Sequence, residues 1–480
     1  MATTLDPARP FPGAGKYPLD AGYCDEAFAP TGTPRPPYAE VLDALARLDL
    51  VVLRERVRSN AASLGLAFGP GQPVAVDPVP RLIEAGEWEP LEAALVQRAK
   101  ALNAFLLDVY GGQRIFDCGV IPRRLLETSI GYEPRMQGLL DPALPPATVA
   151  GLDLIRDERG ELRVLEDNLR MPSGASYSLA AREVVEPEIG VGSRPRDLAD
   201  YVKALGEAIR AAGPEGSTDP AAAILSDGAE SGAWYEHRRL GRELGMPIVS
   251  PHQLESRKGR LYYRRGRDRV QLSVLYRRLD EDRLSEPHGE LTALGELLLP
   301  SLRSGRLRCV NAFGTGVADD KLAHAYVEEM VRFYLDEEPR LRSVPSFDLS
   351  DEAVRQEVLQ RLDELVLKPR DGFGGHGVTI MQRATAAQRR RAIGLLRRGP
   401  ERFIAQDTVQ LSSHPTVCGG RLRPRRVDLR PFVVSAPSGC AAMAGGLTRY
   451  ARGAGEMVVN SSRGGGCKDT WIVDGGGKGR

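Results

Sequence analysis

Two apolar segments joined by a short polar turn constrain the fold of this chain most. Residues 149–157 have the sequence VAGLDLIRD and residues 161–170 the sequence ELRVLEDNLR, with ERG between them. Aliphatic segments of this length around a polar turn predict a β-hairpin. Residues two apart on a strand project from the same face, so Glu166 and Asn168 share a face and Asp167 lies on the opposite one.

The predicted hairpin carries a set of oxygen ligands. Asp153 lies on the first strand, where it can approach Glu166 and Asn168. Two carboxylates and one amide oxygen suit Mg²⁺, a hard cation that keeps water and phosphate oxygens as its other ligands. A structural explanation stays open at this point, in which Asn168 caps the following turn and Glu166 pairs with an arginine.

The composition is that of a globular protein without a strongly charged surface. The chain has 480 residues, 42% of them hydrophobic and 27% charged, with a formal net charge of +1. This charge predicts no nucleic-acid or membrane partner. The six cysteines form no C-x-x-C pair, the N-terminus has no apolar core, and no stretch of about 18 apolar residues exists. We therefore expect reduced thiols in a cytoplasmic protein without a membrane span.

Further along the chain, a glycine-rich segment follows a predicted strand that carries Lys368. In the sequence KPRDGFGGHGV, Gly372, Gly374 and Gly377 match G-x-G-x-x-G, but the following VTIMQ favours a strand over the helix of a dinucleotide fold. We interpret this loop (372–377), which we call the glycine flap, as a hairpin tip whose backbone N–H groups can lie over phosphates. A lysine on the strand beside such a loop is typical of a phosphate site, whereas a flexible β-turn is the structural alternative.

Two segments near the C-terminus contain arginines that can contact anions. Arg430 lies on the apolar strand VDLRPFVV, where a charge needs a partner. Asp428, on the same face, is the structural candidate, and stabilisation of a transferring phosphoryl group is the functional one. Residues 445–469 form either a loop between edge strands or an anion-binding segment. The anion-binding candidates in this segment are Arg449, Asn460 and Arg463.

The order of these motifs resembles that of the ATP-grasp carboxylate–amine ligases, glutathione synthetase in particular, after a permutation. In that family two lysines, a glycine loop, an adenine hinge, an arginine strand and an arginine–glycine loop precede an Asp…Glu-x-Asn set. Here NAFGTGVADDK with Lys321, VLKP with Lys368, GFGGHG, FIAQDTV, VDLRPFV and NSSRGGGCKDTW keep this order, but EDNLRMPSGASY lies upstream of them all. Over residues 20–473 the chain is thus similar to the circularly permuted ATP-grasp family.

This resemblance implies an α/β (α+β) protein with a circularly permuted ATP-grasp fold and an added N-terminal helical region. The alternating helix and strand patterns after residue 200 agree with this class. The implied parts are a mostly helical region at 1–145, the metal-binding part at 146–200, an α/β pre-ATP-grasp-like domain at 201–320, the ATP-binding lobes with the glycine flap at 321–473, and a disordered tail at 474–480.

The resemblance also implies cofactors and site residues. ATP and two Mg²⁺ ions are the expected cofactors, with Lys321 and Lys368 on the α- and β-phosphates. The implied cofactor-binding residues are Lys321, Lys368, Gly372, Gly374, Gly375, Gly377, Gln406, Asp407 and Arg430. The implied metal ligands are Asp153, Glu166 and Asn168, and the implied catalytic residues are Arg430, Lys368 and Arg449. The implied substrate contacts are Arg170, Ser173, Gly174, Ser176, Asn460 and Arg463.

The activity implied by the resemblance is ATP-dependent ligation of a carboxylate to an amine through an acylphosphate. Small-molecule or peptide carboxylates and amines are the expected partners. A kinase or other phosphotransferase on the same fold is one alternative, and a non-catalytic nucleotide-binding scaffold is another. One segment departs from the family pattern SGxSYxLENR, since this chain has SGASYSLAAR with Ala180 and Ala181. If these positions contact substrate, the specificity differs.

Overall fold

The computed structural model describes residues 17–20, 22–69, 71–214, 220–279, 283–372, 377–457, 459 and 465–474. Several of its helices begin at a capping carboxylate or hydroxyl. Asp49, Thr292 and Asp351 each accept a backbone N–H of the first turn, which satisfies a donor left unpaired at a helix start. The described α-helices are α1 (Ala39–Ala46), α2 (Leu50–Ser63), α3 (Ala85–Val109), α4 (Arg114–Asp117), α5 (Arg124–Thr128), α6 (Ala175–Ile189), α7 (Ala199–Ala211), α8 (Trp234–Glu243), α9 (Ala293–Arg303), α10 (Lys321–His324), α11 (Val327–Leu335), α12 (Glu352–Gln360) and α13 (Ala386–Arg398).

The strands are short, and glycine or proline residues separate several of them. The described strands are β1 (Val76–Glu84), β2 (Val149–Arg156), β3 (Leu162–Asn168), β4 (Ala222–Ser226), β5 (Ile248–Val249), β6 (Leu254–Arg257), β7 (Arg260–Arg265), β8 (Asp268–Leu272), β9 (Val274–Arg278), β10 (Arg308–Val310), β11 (Ser346–Asp348), β12 (Leu365–Pro369), β13 (Thr379–Ile380), β14 (Phe403–Asp407), β15 (Ser413–Cys418), β16 (Arg421–Arg430), β17 (Phe432–Ala436), β18 (Gly439–Ala442), β19 (Leu447–Tyr450) and β20 (Gly466–Val473). Helices and strands thus combine in the predicted α/β class.

The largest sheet joins segments that are far apart in the chain. Its path is β1-β20-β19-β16-β2-β17-β18, with β15 added to β16 and β3 added to β2. β2 pairs antiparallel with both β16 and β17, so the hairpin of β2 and β3 lies beside strands from the C-terminal part. This pairing is what the permuted motif order requires.

Two further sheets form the walls around this hairpin. β10, β9, β4 and β5 form a parallel sheet, as expected for the α/β layers predicted after residue 200. β11, β14, β12 and β13 form an antiparallel sheet with its own small core around Leu349, Leu365 and Met381. β6, β7 and β8 form a separate antiparallel meander.

Four sequence predictions of single elements differ from the structure. The sequence patterns of residues 38–65 and 319–339 are each helical throughout, but each segment folds as two helices, α1 with α2 and α10 with α11. The predicted strand around Arg430 is interrupted at Pro431, which has no N–H to donate to a ladder. The sequence CAAMAGGLTRY likewise favours one strand, but it folds as two strands, β18 and β19.

Strand β1 is among the elements that were not predicted from the sequence. β1 lies in the region predicted to be mostly helical, and its sequence VDPVPRLIE contains two prolines, which argue against a central strand. In the structure β1 is at the edge of the large sheet and, among the described strands, pairs only with β20, a position that tolerates proline. The first part of the chain is therefore continuous with the large sheet, while the exact domain boundaries stay predictions.

Two expectations concern membranes and the C-terminal tail. Within the described ranges, we find no helix with the length and apolar character needed to cross a bilayer. The tail predicted to be disordered at 474–480 lies outside the described residues except for Asp474.

Candidate active site

The hairpin of β2 and β3 places the predicted metal ligands side by side. Asp153 lies directly opposite Glu166, and Gly151 opposite Asn168. Asp157 and Gly160 close the turn, since the Gly160 N–H donates to the Asp157 carbonyl at 3.0 Å and Gly160 has a φ of +83°. The antiparallel register therefore brings two carboxylates and an amide to one end of the hairpin.

The opposite face of the hairpin is anchored by a buried ion pair. The Asp167 carboxylate accepts two hydrogen bonds from Arg98 of α3, at 2.6 and 2.7 Å, and lies 2.6 Å from Nδ1 of His324. Burial opposes ionisation of Asp167, but the Arg98 guanidinium prevails and lowers the pKa of this carboxyl. This anchor fixes β3 so that Glu166 and Asn168 face the cleft.

Four charged residues form what we call the arginine cluster: Asp153, Asp428, Arg430 and Arg449. Arg430 pairs with Asp153 through two N–H groups, not with Asp428, the structural candidate in the sequence. Arg449 bridges both carboxylates, at 2.8 Å from Asp153 and 2.6 Å from Asp428. The cluster thus contains two carboxylates and two guanidiniums, so its formal charges cancel.

The two carboxyl groups of the arginine cluster respond differently to their surroundings. Burial alone would raise the pKa of Asp153, but Arg430 and Arg449 lower it to about 2. For Asp428 burial prevails over the attraction of Arg449, and its pKa is raised. Asp153 is therefore the carboxylate that stays ionised next to Glu166.

Glu166, Lys321 and Lys368 form a second group, which we call the lysine cluster. Oε1 of Glu166 lies 3.9 Å from Nζ of Lys321 and 3.7 Å from Nζ of Lys368, both beyond hydrogen-bond distance. Burial, only partly offset by Glu166, lowers the pKa of the Lys368 ammonium. The predicted structural alternative, Glu166 paired with an arginine, is not found among the described residues; two lysines from different segments face it instead.

The glycine flap joins the lysine cluster at its base. β12 and β13 pair antiparallel on either side of it, which confirms the predicted hairpin. Lys321 donates to the Gly372 carbonyl, and Arg370 binds Asp320 through two N–H groups at 2.9 and 2.8 Å. Gly377 has a φ of +74°, while Gly374 and Gly375 lie outside the described residues. The base of the flap is thus tied to the start of α10.

The predicted hinge residues already have side-chain partners. Gln406 accepts a hydrogen bond from Lys368 at 2.5 Å and donates to Ser346 Oγ at 2.9 Å. The Asp407 carboxylate accepts from Arg361 at 2.8 Å. Both residues line the cleft, so contact of these side chains with adenine or ribose requires exchange of these partners.

The turn that follows the hairpin is held by a carboxylate that the sequence did not suggest. Oε2 of Glu236, on α8, accepts the backbone N–H groups of Gly174 and Ser176, each at 2.9 Å. Oε1 of Glu236 pairs with Arg278 at 2.6 Å, and Arg278 also donates to the Pro172 carbonyl at 2.7 Å. The N-terminus of α6 is therefore capped from another helix.

The predicted substrate residues separate into different environments. Arg170, Ser173 and Gly174 line the cleft. Ser176 is fully buried and does not line it, so the structure gives no support for direct substrate contact there. Asn460 and Arg463 lie outside the described residues. Ala180 and Ala181 are also fully buried, so this departure from the family pattern lies in the core and not on the cleft wall.

The residues of the hairpin fit a divalent cation. Asp153 accepts three N–H groups, which leaves one of the roughly four lone-pair positions of a carboxylate. Glu166 is one-third exposed to the cleft, and Asn168 also lines the cleft, so its amide oxygen is a further candidate ligand. No group of three His, Cys, Asp or Glu side chains suited to a metal occurs in the described ranges. An ion here would therefore depend on the Asn168 amide, water and phosphate oxygens, as Mg²⁺ does.

A further carboxylate, also missed in the sequence, lies where β3 ends. Oδ1 of Asp319 accepts the N–H groups of Leu169 and Arg170, at 2.6 and 3.0 Å. Burial raises the pKa of Asp319 to about 7. Its position two residues before Lys321, in a segment that also lines the cleft, was the available signal.

Comparison with known proteins supports the same family. The family model described as circularly permuted ATP-grasp type 2 matches residues 80–451. An uncharacterized protein of Mycobacterium tuberculosis is 39% identical over 464 residues, covering 94% of this chain and 84% of that protein. One of Synechocystis sp. is 37% identical over 470 residues, covering 94% and 97%. A putative glutamate–cysteine ligase 2-2 of Frankia casuarinae is 39% identical over 467 residues, covering 94% of this chain but 54% of that relative.

A solved structure has the same fold at low sequence identity. A glutathione synthetase-like effector from Globodera pallida matches with a TM-score of 0.56 and 11% identity, over 89% of this chain and 98% of that one. At this identity the likeness concerns the fold alone. The match of the family model over most of the chain shows that the protein belongs to the circularly permuted ATP-grasp family, type 2.

Proposed function

We propose that the protein is an ATP- and Mg²⁺-dependent ligase that joins a carboxylate to an amine. The observation that carries this proposal is the lysine cluster, in which Lys321 and Lys368 from separate segments converge on Glu166 at the base of the glycine flap. Two ammonium groups beside a carboxylate on a metal-competent hairpin can hold nucleotide phosphates and their cation together. Membership of the ATP-grasp family and the name of the Frankia relative support the ligase class.

The proposed reaction has two steps. An oxygen of the substrate carboxylate attacks the γ-phosphorus of ATP, the bond to the bridging oxygen breaks, and ADP leaves. The amine nitrogen then attacks the acyl carbon of the acylphosphate, a C–N bond forms, and phosphate leaves with the electron pair. When bound, Mg²⁺ neutralises phosphate charge. In this class of reaction the acylphosphate has to be kept from water until the amine attacks it.

The protein residues have distinct proposed roles. Lys321 and Lys368 bind the nucleotide phosphates, and Asp153, Glu166 and Asn168 are the candidate ligands of up to two Mg²⁺ ions. Arg430 and Arg449 stabilise charge on the transferring phosphoryl group. Other proposed contacts are Gly372, Gly374, Gly375, Gly377, Gln406 and Asp407 for the nucleotide, and Arg170, Ser173, Gly174, Asn460 and Arg463 for the substrates. A cytoplasmic location also stays a proposal.

A substrate screen tests this function. Amino acids, polyamines and small peptides are supplied in pairs with MgATP, and ADP release is measured for the wild type and for Glu166→Ala. We expect amine-dependent ADP release from the wild type and a loss of about 10²–10³-fold in the variant, because the cation that stabilises transition-state charge would lose one of its candidate ligands. The matched control is Glu161→Ala, an exposed glutamate of the same hairpin.

Each outcome of the screen has a defined meaning. ADP release that survives in Glu166→Ala contradicts the metal assignment. A stable phosphorylated product formed without an amine indicates a kinase instead of a ligase. MgATP binding without turnover for any pair indicates a non-catalytic nucleotide-binding protein.

A further inference from the structure

The carboxylate of Asp319 has one oxygen fixed by the protein and one that is available to the cleft. Oδ1 accepts both backbone N–H groups, from Leu169 and Arg170. Oδ2 makes no hydrogen bond to any residue that the structure describes, and the partly exposed side chain lines the cleft. An acceptor held in this way is oriented before any ligand arrives, because its torsional freedom is already restricted.

Asp319 lies between the residues proposed to bind the nucleotide and those proposed to bind the substrates. Two residues later comes Lys321 of the lysine cluster, and its backbone partner Arg170 begins the turn proposed to face the substrates. Beside it, Gly131 and Gly316 touch so closely that a Cβ on Gly131 would lie 2.3 Å from the Gly316 carbonyl carbon. Both glycines line the cleft, so the wall next to Asp319 consists of two closely packed backbone segments without side chains.

We propose that Asp319 receives the amine substrate: Oδ2 accepts a hydrogen bond from the amine and takes one of its protons as the nitrogen attacks the acylphosphate carbon. The C–N bond forms, the bond between carbon and the phosphate oxygen breaks, and phosphate leaves with that electron pair. The released proton is then on Asp319, from which solvent in the open cleft removes it. This inference rests on the proposed ligase function and names the residue for its second step.

The surroundings of Asp319 support this role. Burial raises its pKa to about 7, although the two backbone N–H groups and the nearby charges of Arg170 and Lys321 oppose the rise. A proton acceptor with a pKa near the working pH is the most effective general base. By contrast, Asp153 has its charge neutralised by two arginines and cannot take this part.

The test separates the two steps with one variant, Asp319→Asn. The asparagine oxygen can still accept both backbone N–H groups, so the variant keeps the local structure but cannot take up a proton. L-Amino acids and dipeptides serve as carboxylates, and glycinamide, putrescine and spermidine as amines. Acylphosphate is measured independently by trapping with concentrated hydroxylamine, which gives a hydroxamate without needing an amine site. The control is Glu127→Gln, an exposed carboxylate lining the same cleft.

We expect kcat/KM for the amine to fall by about 10²-fold or more in Asp319→Asn, with hydroxamate formation within about threefold of the wild type. Unchanged amine kinetics in Asp319→Asn would overturn the inference. A parallel loss of hydroxamate would also overturn it, because Asp319 would then act in ATP or metal alignment. No hydroxamate from the wild type with any carboxylate of the panel would refute the proposed ligase function itself, and the role of Asp319 with it.

Discussion

The two clusters that meet at the hairpin of β2 and β3 differ in how their charges are satisfied. In the arginine cluster, Asp153 and Asp428 are nearly inaccessible and make close hydrogen bonds to two guanidiniums. In the lysine cluster, Glu166 is one-third exposed, and both ammonium groups are beyond hydrogen-bond distance from it. The charge of Asp153 on β2 is thus neutralised within the protein. Glu166 on β3 faces the ammonium groups of Lys321 and Lys368 without hydrogen bonds to them, so a ligand can also contact these groups.

This contrast assigns different tasks to neighbouring carboxylates. A buried ion network with several hydrogen bonds is costly to open, because each unpaired charge stays in a poorly solvated site. The contacts of Glu166 with Lys321 and Lys368 are longer than hydrogen bonds and involve a partly exposed carboxylate, so each contributes less to stability than a hydrogen-bonded pair. The arginine cluster therefore fixes the hairpin and holds Arg430 and Arg449 at the cleft, whereas the lysine cluster has weaker internal contacts for its two ammonium groups.

The largest loss of stability is expected when an ion pair of the arginine cluster is removed. Arg449→Met removes the partner of Asp428, whose side chain is only 2% exposed. We expect the free energy of unfolding to fall by about 3–5 kcal/mol, the usual cost of breaking a buried ion pair, as measured by urea denaturation. Arg452→Met, an exposed arginine nearby, is the control. A loss no larger than that of the control would show that the cluster does not stabilise the fold.

An intermediate effect is expected from the acid dependence of stability. Asp153 has a pKa of about 2 in the folded protein against the ordinary value of 3.8. Its contribution is therefore complete above pH 3.8 and disappears as the pH falls towards 2, an effect of about 2 kcal/mol. Asp153→Asn should flatten the decline of unfolding free energy over this interval, measured by denaturation at a series of pH values. A wild-type slope in this variant, with Glu161→Gln as control, would contradict the assignment.

The smallest change in stability is expected in the lysine cluster. Lys321→Met removes one hydrogen bond to the Gly372 carbonyl and a distant ion pair, so we expect a loss of about 1 kcal/mol in unfolding free energy. Affinity for MgADP, measured by titration calorimetry, should fall about tenfold, equivalent to about 1.4 kcal/mol. The control is Lys203→Met, an exposed lysine on α7. A stability loss as large as that of Arg449→Met would erase the difference between the clusters.

Local sequence patterns were sufficient for the elements of the site. The period-two pattern of residues 161–170 predicted that Glu166 and Asn168 share a face, and the β-rich residues after the glycine loop predicted a hairpin in place of a helix. Both elements occur in the structure. The strand β1 was missed because proline is disfavoured in central strands. Only the order of strands in the sheet shows that β1 lies at an edge, where proline is tolerated.

The sequence did not show which charged residues pair with each other. Arg430 has Asp428 two residues away on its own strand, yet it binds Asp153 of β2. Glu236 and Asp319 cap and orient the segment after β3 from distant elements. Their sequence surroundings are ordinary, since a helical glutamate and an aspartate before a lysine occur in many surface positions.

The sequence by itself determined the family, the hairpin, the glycine flap and the two lysines, because these depend on residue type and on spacing over a few positions. The tertiary structure alone decided which carboxylate is neutralised, which faces the lysines, and which of the predicted substrate residues are buried. The physical reason is that ion pairing and desolvation depend on distances across sheets and between helices. Those distances are set by strand order and packing, which join β2 to β16 and β17 across most of the chain.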